Sequence, residues 1–444
     1  MEKADQSHLY ARSMFYKHAD SWHGAQERSE VVNAIFDELK VEPLQYDLPR
    51  MDLEKFRKKS KSKKQALRKT WREQVKEMNA VWIRKMVNAE NAFQERMTLF
   101  WVGHFACRTV DNPYFTLDFN NQIRTYALGS FRDLLFAVAK SPAMINYLHL
   151  RQNRKGKPNE DFARELCELF TLGQGVDYTE KDVSEIARAF TGWTFDDQGE
   201  HGINPHQYDE GEKTIFGQTG RFGGADVLEM ILENPNTAKF IAKKVYHEFV
   251  RETINPDHVQ ELAAVLYDSD YSIKEMMMHL FKSDWFYEAK GERIKSPIEL
   301  IVGMGRQLHL AYPDTQSLIN IQHVLGQMLF NPPNVAGWPG GRSWIDASRL
   351  ALRLRLGSII TNKGLIAYEL TPELDEMISG NRSNKQILKL YEAIDWAKIA
   401  DRNQNRSMSE IILHTVGTDH DHLPKEDSPT HMIALLSSPD YQLI

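Results

Sequence analysis

Between Leu67 and His104 the side chains Leu67, Trp71, Val75, Met78, Trp82, Met86, Phe93, Met97, Phe100 and His104 recur mostly three or four residues apart. That spacing lines one face of an α-helix and does not fit the two-residue period of a strand. The stretch predicts one long helix or two in tandem. Helix punctuation recurs down the chain. Ser141-Pro142, Ser296-Pro297 and Ser438-Pro439 each set a capping hydroxyl before a proline at the first helical position. Asn159 can cap a helix running to Leu172 with Gly173 as its stop, and Thr179 with Asp182 forms a capping-box start for a helix ending near Gly192. Period-two alternation is scarce, so at most a small hairpin is expected, near Thr194 to Thr214.

Composition sets the outer limits. At 444 residues with 42% hydrophobic and 26% charged side chains, the chain can bury a large core, and a mainly disordered reading is excluded. Two cysteines, Cys107 and Cys167, allow at most one bridge and no Cys-rich zinc site. The net charge of −6 excludes nucleic-acid binding driven by bulk charge; nucleic acid is not an expected partner, and any such binding must be local. The charge is unevenly spread, however. The first 100 residues carry 20 Lys and Arg against 15 Asp and Glu, which leaves an acidic remainder. Lys55 to Arg72 holds ten of those basic residues and no acid, a pattern that suits either the solvated start of a long helix or a polyanion patch. No transmembrane segment is expected, since no apolar run approaches the roughly 18 residues a spanning helix needs. The polar N-terminal residues lack the pattern of a signal peptide, so a cytoplasmic location is the default expectation.

Three places could carry chemistry. In the segment Asn159 to Phe170, a regular helix puts Asp161, Glu165 and Glu168 on a strip bordering an apolar face. Two carboxylates three residues apart can share a divalent cation or hold a raised pKa for acid–base work. The same strip also suits a solvated face in which Arg164 pairs with Glu168 or Glu160. His104 ends the aromatic stripe, where an imidazole must find a partner; opposite Glu165 or Glu168 it would complete a mixed His/carboxylate metal site, and otherwise it is a core histidine bonded to a backbone carbonyl. The third place is the glycine-punctuated loop with His206, Asp209 and Lys213, which is either a substrate loop or a surface turn series. Its Gly211-Glu212-Lys213-Thr214 lacks the spacing of a Walker A motif. His414 and Asp419 to His422 could ligate a metal but read better as a polar loop.

The strings Arg124 to Leu135, Asn159 to Gly175, Tyr178 to Trp193, Gly211 to Thr214, Lys295 to Leu300, Pro332 to Gly341 and Leu436 to Tyr441 together resemble the bacterial family catalogued as domain of unknown function 1800. The resemblance covers nearly the whole chain and implies one mostly helical domain with no established activity. It also implies a family whose members are often exported and encoded beside a protein resembling sulfatases and alkaline phosphatases, a candidate partner.

These readings combine into one expectation. The fold is mainly α, a multi-helical single large domain with long functional loops and at most a small β-hairpin. Residues 1–100 form its basic N-terminal helical portion, and residues 101–444 form the helical core with loops 194–224 and 331–344. Glu165, Glu168, His104, Asp209 and Lys213 are expected to converge, with Glu165, Glu168 and His104 around a divalent metal ion and Lys213 clamping an anionic substrate, for hydrolytic or related polar chemistry. The alternative is a helical scaffold that binds its partner through the loop Trp338 to Trp344 and the basic helix.

Overall fold

The stretch that begins at Leu67 lies in two helices, Lys61–Asn88 and Phe93–His104. Asn91 makes the break between them: its Nδ2 donates to the Ile35 carbonyl at 2.7 Å, and its Oδ1 accepts the Phe93 N–H at 3.0 Å. Buried Arg306 closes the first helix by donating to the carbonyls of Met86, Val87 and Ala89 at 3.0, 3.0 and 2.6 Å. A cation there satisfies carbonyls that have no partner within the helix. This computed structural model describes residues 1–17, 27–49, 52–361, 365–369, 385–389, 394, 412–413 and 429–444. His414 and Asp419 to His422 lie outside the described residues.

The three Ser-Pro caps form. Ser141 Oγ accepts from the Ala143 N–H at 3.2 Å, Ser296 Oγ from Glu299 at 3.3 Å and Ser438 Oγ from Tyr441 at 3.2 Å. The last opens only a single 3-10 turn, Asp440–Gln442. Thr179 and Asp182 make a reciprocal capping box on the helix Glu180–Ala189. The segment after Asn159 departs from a regular helix: α-helix Asp161–Glu165 passes into a π-helix, Leu166–Thr171, before Gly173 turns the chain at φ +95°. Wider winding breaks the even strip that a regular helix would have given Glu165 and Glu168.

Among the described residues strand is confined to short two-stranded antiparallel ladders. Within loop 194–224 and its margin there are two short hairpins where at most one was expected. Trp193–Phe195 pairs with His201–Ile203 in the register Trp193 to Ile203, and Lys213–Ile215 pairs with Gln218–Gly220 in the register Lys213 to Gly220. The second turns through Phe216 and Gly217 at φ +48° and +77°, the positive values that a tight two-residue hairpin requires. A third pair joins Leu365–Glu369 to Lys385–Lys389. The fold is mainly α, and its buried apolar side chains form one contiguous cluster reaching from Leu9 to Tyr441. Cys107 and Cys167 are buried and free. Among the described residues no helix is long and apolar enough to cross a membrane.

Candidate functional site

The expected site residues do not form one centre. Glu168 pairs with Arg164 at 3.3 Å, and Arg164 also holds Glu160 and Glu180 at 3.0 and 2.8 Å. Burial, and then Glu168, raise the Glu165 pKa above the ordinary carboxylate value. Asp209 accepts from Arg188 at 3.0 Å, and that guanidinium holds its pKa down. Lys213 is buried, its ammonium donating to the carbonyls of Asp209 and Gly211 at 2.7 and 2.9 Å. It closes its own loop and presents no charge to a ligand. The Thr214 N–H donates to Glu185 at 3.1 Å, tying that hairpin to the helix Glu180–Ala189, and His206 is exposed. Among the described residues no three His, Cys, Asp or Glu side chains are grouped to hold a metal ion, so the expected His104, Glu165 and Glu168 centre is not assembled.

His104 of that set lines a cleft. Its Nε2 is 3.0 Å from the Phe170 carbonyl in the π-helix. A carbonyl oxygen only accepts, so Nε2 carries the proton and Nδ1 is a bare acceptor. Burial, with nearby Lys244 adding to it, lowers this pKa to about 3, so the ring is neutral near pH 7. The cleft beside it, about 240 Å³, is roofed by the loop at residues 331–344. Trp338 lines the roof, and Trp344 is buried against the body. Three glycines shape this roof. Gly337, at φ +80°, lies so close to the Gly103 carbonyl that any side chain would collide with it. A side chain on Gly341, at φ +52°, would occupy the space of the Glu252 carboxylate, and one on Gly340 would meet His247 at 3.9 Å. Gly340 and Gly341 are consecutive, with Cα atoms about 3.8 Å apart, so His247 and Glu252 sit under adjacent steps of one roof.

The floor comes from the helix Pro235–Phe249 and from Arg293. Lys244, His247 and Glu248 lie three and four residues apart on that helix, hence on one face. Glu248 accepts from buried Arg96 at 2.7 Å, and Arg96 also reaches Glu299 at 3.0 Å. Arg293 donates to Glu299, whose other oxygen accepts the Ser296 N–H at 2.7 Å. Burial alone would raise the Glu299 carboxyl; Arg293 and Arg96 outweigh it and hold the group well below the usual range. The Arg293 Nε, buried at the cleft wall, has no hydrogen-bond partner among the described residues. Neither have the Lys244 ammonium, the His247 ring or the Glu252 carboxylate, although all three line the cleft.

The family model described as "protein of unknown function (DUF1800)" matches residues 8–443. The chain belongs to the DUF1800 family. No curated protein and no solved structure matches it. In this DUF1800 chain three of the family-like strings meet at the cleft: Asn159 to Gly175 supplies Leu169, Lys295 to Leu300 supplies Ser296 with Glu299 buried behind it, and Pro332 to Gly341 supplies the roof. Another is structural. Arg124 forks onto Glu95 at 2.9 and 3.0 Å, and Glu95 also takes the Trp82 indole N–H at 2.7 Å, all inside the core. Sequence reasoning missed Lys244, His247, Glu248, Glu252 and Arg293. The helical spacing of Lys244, His247 and Glu248 behind the Asn234-Pro235 cap was the available signal for the first three.

Proposed function

We propose that the cleft under the 331–344 loop is the active site of an enzyme that performs hydrolytic or related acid–base chemistry on a small anionic or polar substrate. The observation that carries this reading is the convergence, in one concavity, of Lys244, His247 and Glu252, whose polar groups have no hydrogen-bond partner among the described residues. Side-chain groups that bond nothing within the described residues are open to a ligand entering the cleft. His247 is the acid–base group, since an imidazole has two ring nitrogens, one able to accept a proton and the other to donate one. Glu252, under the adjacent roof glycine, acts as the carboxylate base. Lys244 and Arg293 hold an anionic group, and His104, fixed as a neutral acceptor, positions a donor of the substrate. This keeps the His/carboxylate chemistry expected from the sequence but moves the carboxylates from Glu165 and Glu168 to Glu252. In the scaffold alternative Trp338 would face a partner; its place over the cleft favours the enzyme reading.

The test is turnover of p-nitrophenyl phosphate and p-nitrophenyl sulfate by the wild-type chain, His247→Gln and Glu252→Gln, with circular dichroism to confirm folding. Wild type is expected to hydrolyse at least one ester, and each variant to lose on the order of 10²-fold or more, the usual scale of general acid–base catalysis. No turnover of either ester, or equal turnover in folded variants, overturns the proposal.

A further inference from the structure

A second concavity, independent of the first, lies where two remote basic stretches meet. Its volume is about 440 Å³, and four arginines line it: Arg57, Arg68, Arg72 and Arg151. Arg57, Arg68 and Arg72 belong to the acid-free run Lys55 to Arg72. Arg151 opens another, Arg151-Gln152-Asn153-Arg154-Lys155-Gly156-Lys157, also without an acid. Compensation is partial. Arg57 pairs with Asp197 at 2.8 Å and Arg72 with Asp111 at 2.6 Å. Among the described residues Arg68 and Arg151 have no carboxylate partner, nor do Lys61, Lys63 and Lys69 on the exposed first turns of the helix Lys61–Asn88. Burial, together with the Arg57 charge, lowers the Arg151 pKa, as expected where like charges are crowded.

Aromatic rings underlie this charge. Phe56 stacks on Trp71 at 4.7 Å, Phe115 meets Phe195 edge to face at 5.5 Å, and the Arg151 guanidinium lies 4.8 Å over the Phe195 ring. We infer that this arginine-lined, aromatic-floored groove binds the sugar–phosphate backbone of single-stranded nucleic acid. Guanidinium forks match phosphate oxygens, and a positively charged groove that tracks the backbone is the feature this concavity shares with non-specific single-strand sites; Trp71, Phe115 and Phe195 are buried and build its floor. Shape narrows the choice of polyanion. A flat bilayer cannot enter a concavity, whereas a flexible strand can follow it and bring its phosphates to the arginines within. The net charge of −6 says nothing against it, because the potential that attracts a strand is local.

The test is fluorescence anisotropy of a labelled oligothymidylate of about 20 nucleotides, long enough for one such site, titrated with the full chain at several salt concentrations. Binding is expected to weaken with salt, log K falling by about 0.7 per phosphate contacted per decade of salt. Arg68→Ala with Arg151→Ala is expected to reduce affinity at least tenfold. Lys61→Ala with Lys63→Ala and Lys69→Ala, all on an exposed helical face, is expected to lower it in the same direction and serves if the first pair fails to fold. Three results overturn the inference: no binding at low salt, binding that neither set of folded variants weakens, or tighter binding of polyglutamate or phosphatidylserine vesicles than of the oligonucleotide. His247→Gln leaves this binding unchanged, which separates the groove from the cleft.

Discussion

His104 shows how one side chain's role follows from one hydrogen bond and its surroundings. With Nε2–H donated to Phe170 and rings of Trp101, Phe105 and Phe240 around it, the imidazole is held neutral. Its folded pKa of about 3 lies below the ordinary value of 6.5. Between those values the unfolded chain binds a proton that the folded chain refuses. Stability therefore falls as the pH drops through that window, by up to about 1.4 kcal/mol per pH unit, and by less to the extent that the ring keeps some exposure. His104→Gln, whose amide can still donate to the carbonyl, should flatten this acid limb; urea midpoints between pH 6.5 and pH 4 would show equal slopes for both proteins if the ring were not held neutral. Sequence pointed to His104 because an imidazole in an aromatic stripe needs a partner. It offered a backbone carbonyl as one of two possible partners but could not say which carbonyl: that of Phe170, 66 residues away near the end of the π-helix.

Among the elements, the roof loop depends most on backbone geometry. Gly337 holds φ +80° against the Gly103 carbonyl, whereas Gly291 holds φ +75° with nothing within 4 Å of an added side-chain carbon. Gly291→Ala should therefore cost only left-handed strain, about 1 kcal/mol. Gly337→Ala should cost that and a collision with backbone, about 3 kcal/mol in all, and should change Trp338 fluorescence by lifting the loop. Equal thermal midpoints for the two variants would mean that the contact with Gly103 is not holding the roof. Helices and their starts were readable because spacing, caps and Pro positions are local properties of the chain. The π-helix at Leu166–Thr171 was not. Its extra residue per turn is stabilised by tertiary contacts such as the one to His104, and no local pattern announces them.

At the scale of the whole molecule, a buried charge cluster links distant parts of the chain beside the cleft. Arg96, Glu248, Arg293 and Glu299 come from separate segments and bond to one another, and Arg96, Arg293 and Glu299 are almost fully buried. Removing one charge from such a cluster strands the others in low dielectric. Glu299→Gln should destabilise the fold by about 3–5 kcal/mol in urea denaturation. Glu180→Gln, which breaks a solvent-exposed pair with Arg164, should leave the midpoint unchanged. A small loss for Glu299→Gln would mean that the cluster is not a structural node.

The cluster also marks how far the sequence reaches. From order and spacing alone, this chain is determined to be helical, with named helix starts, and its charge is concentrated in a basic N-terminal run. Glu165 and Glu168 looked like a site because they are neighbours on paper; in the fold Arg164 neutralises Glu168, and π-winding shifts Glu168 relative to Glu165. His104, the helix face with Lys244 and His247, Arg293 and the roof glycines are brought together only by tertiary packing. Periodicity reports which face of an element is buried, because burial acts on each element separately. Which faces meet depends on how all of them pack at once, and that choice made the cleft.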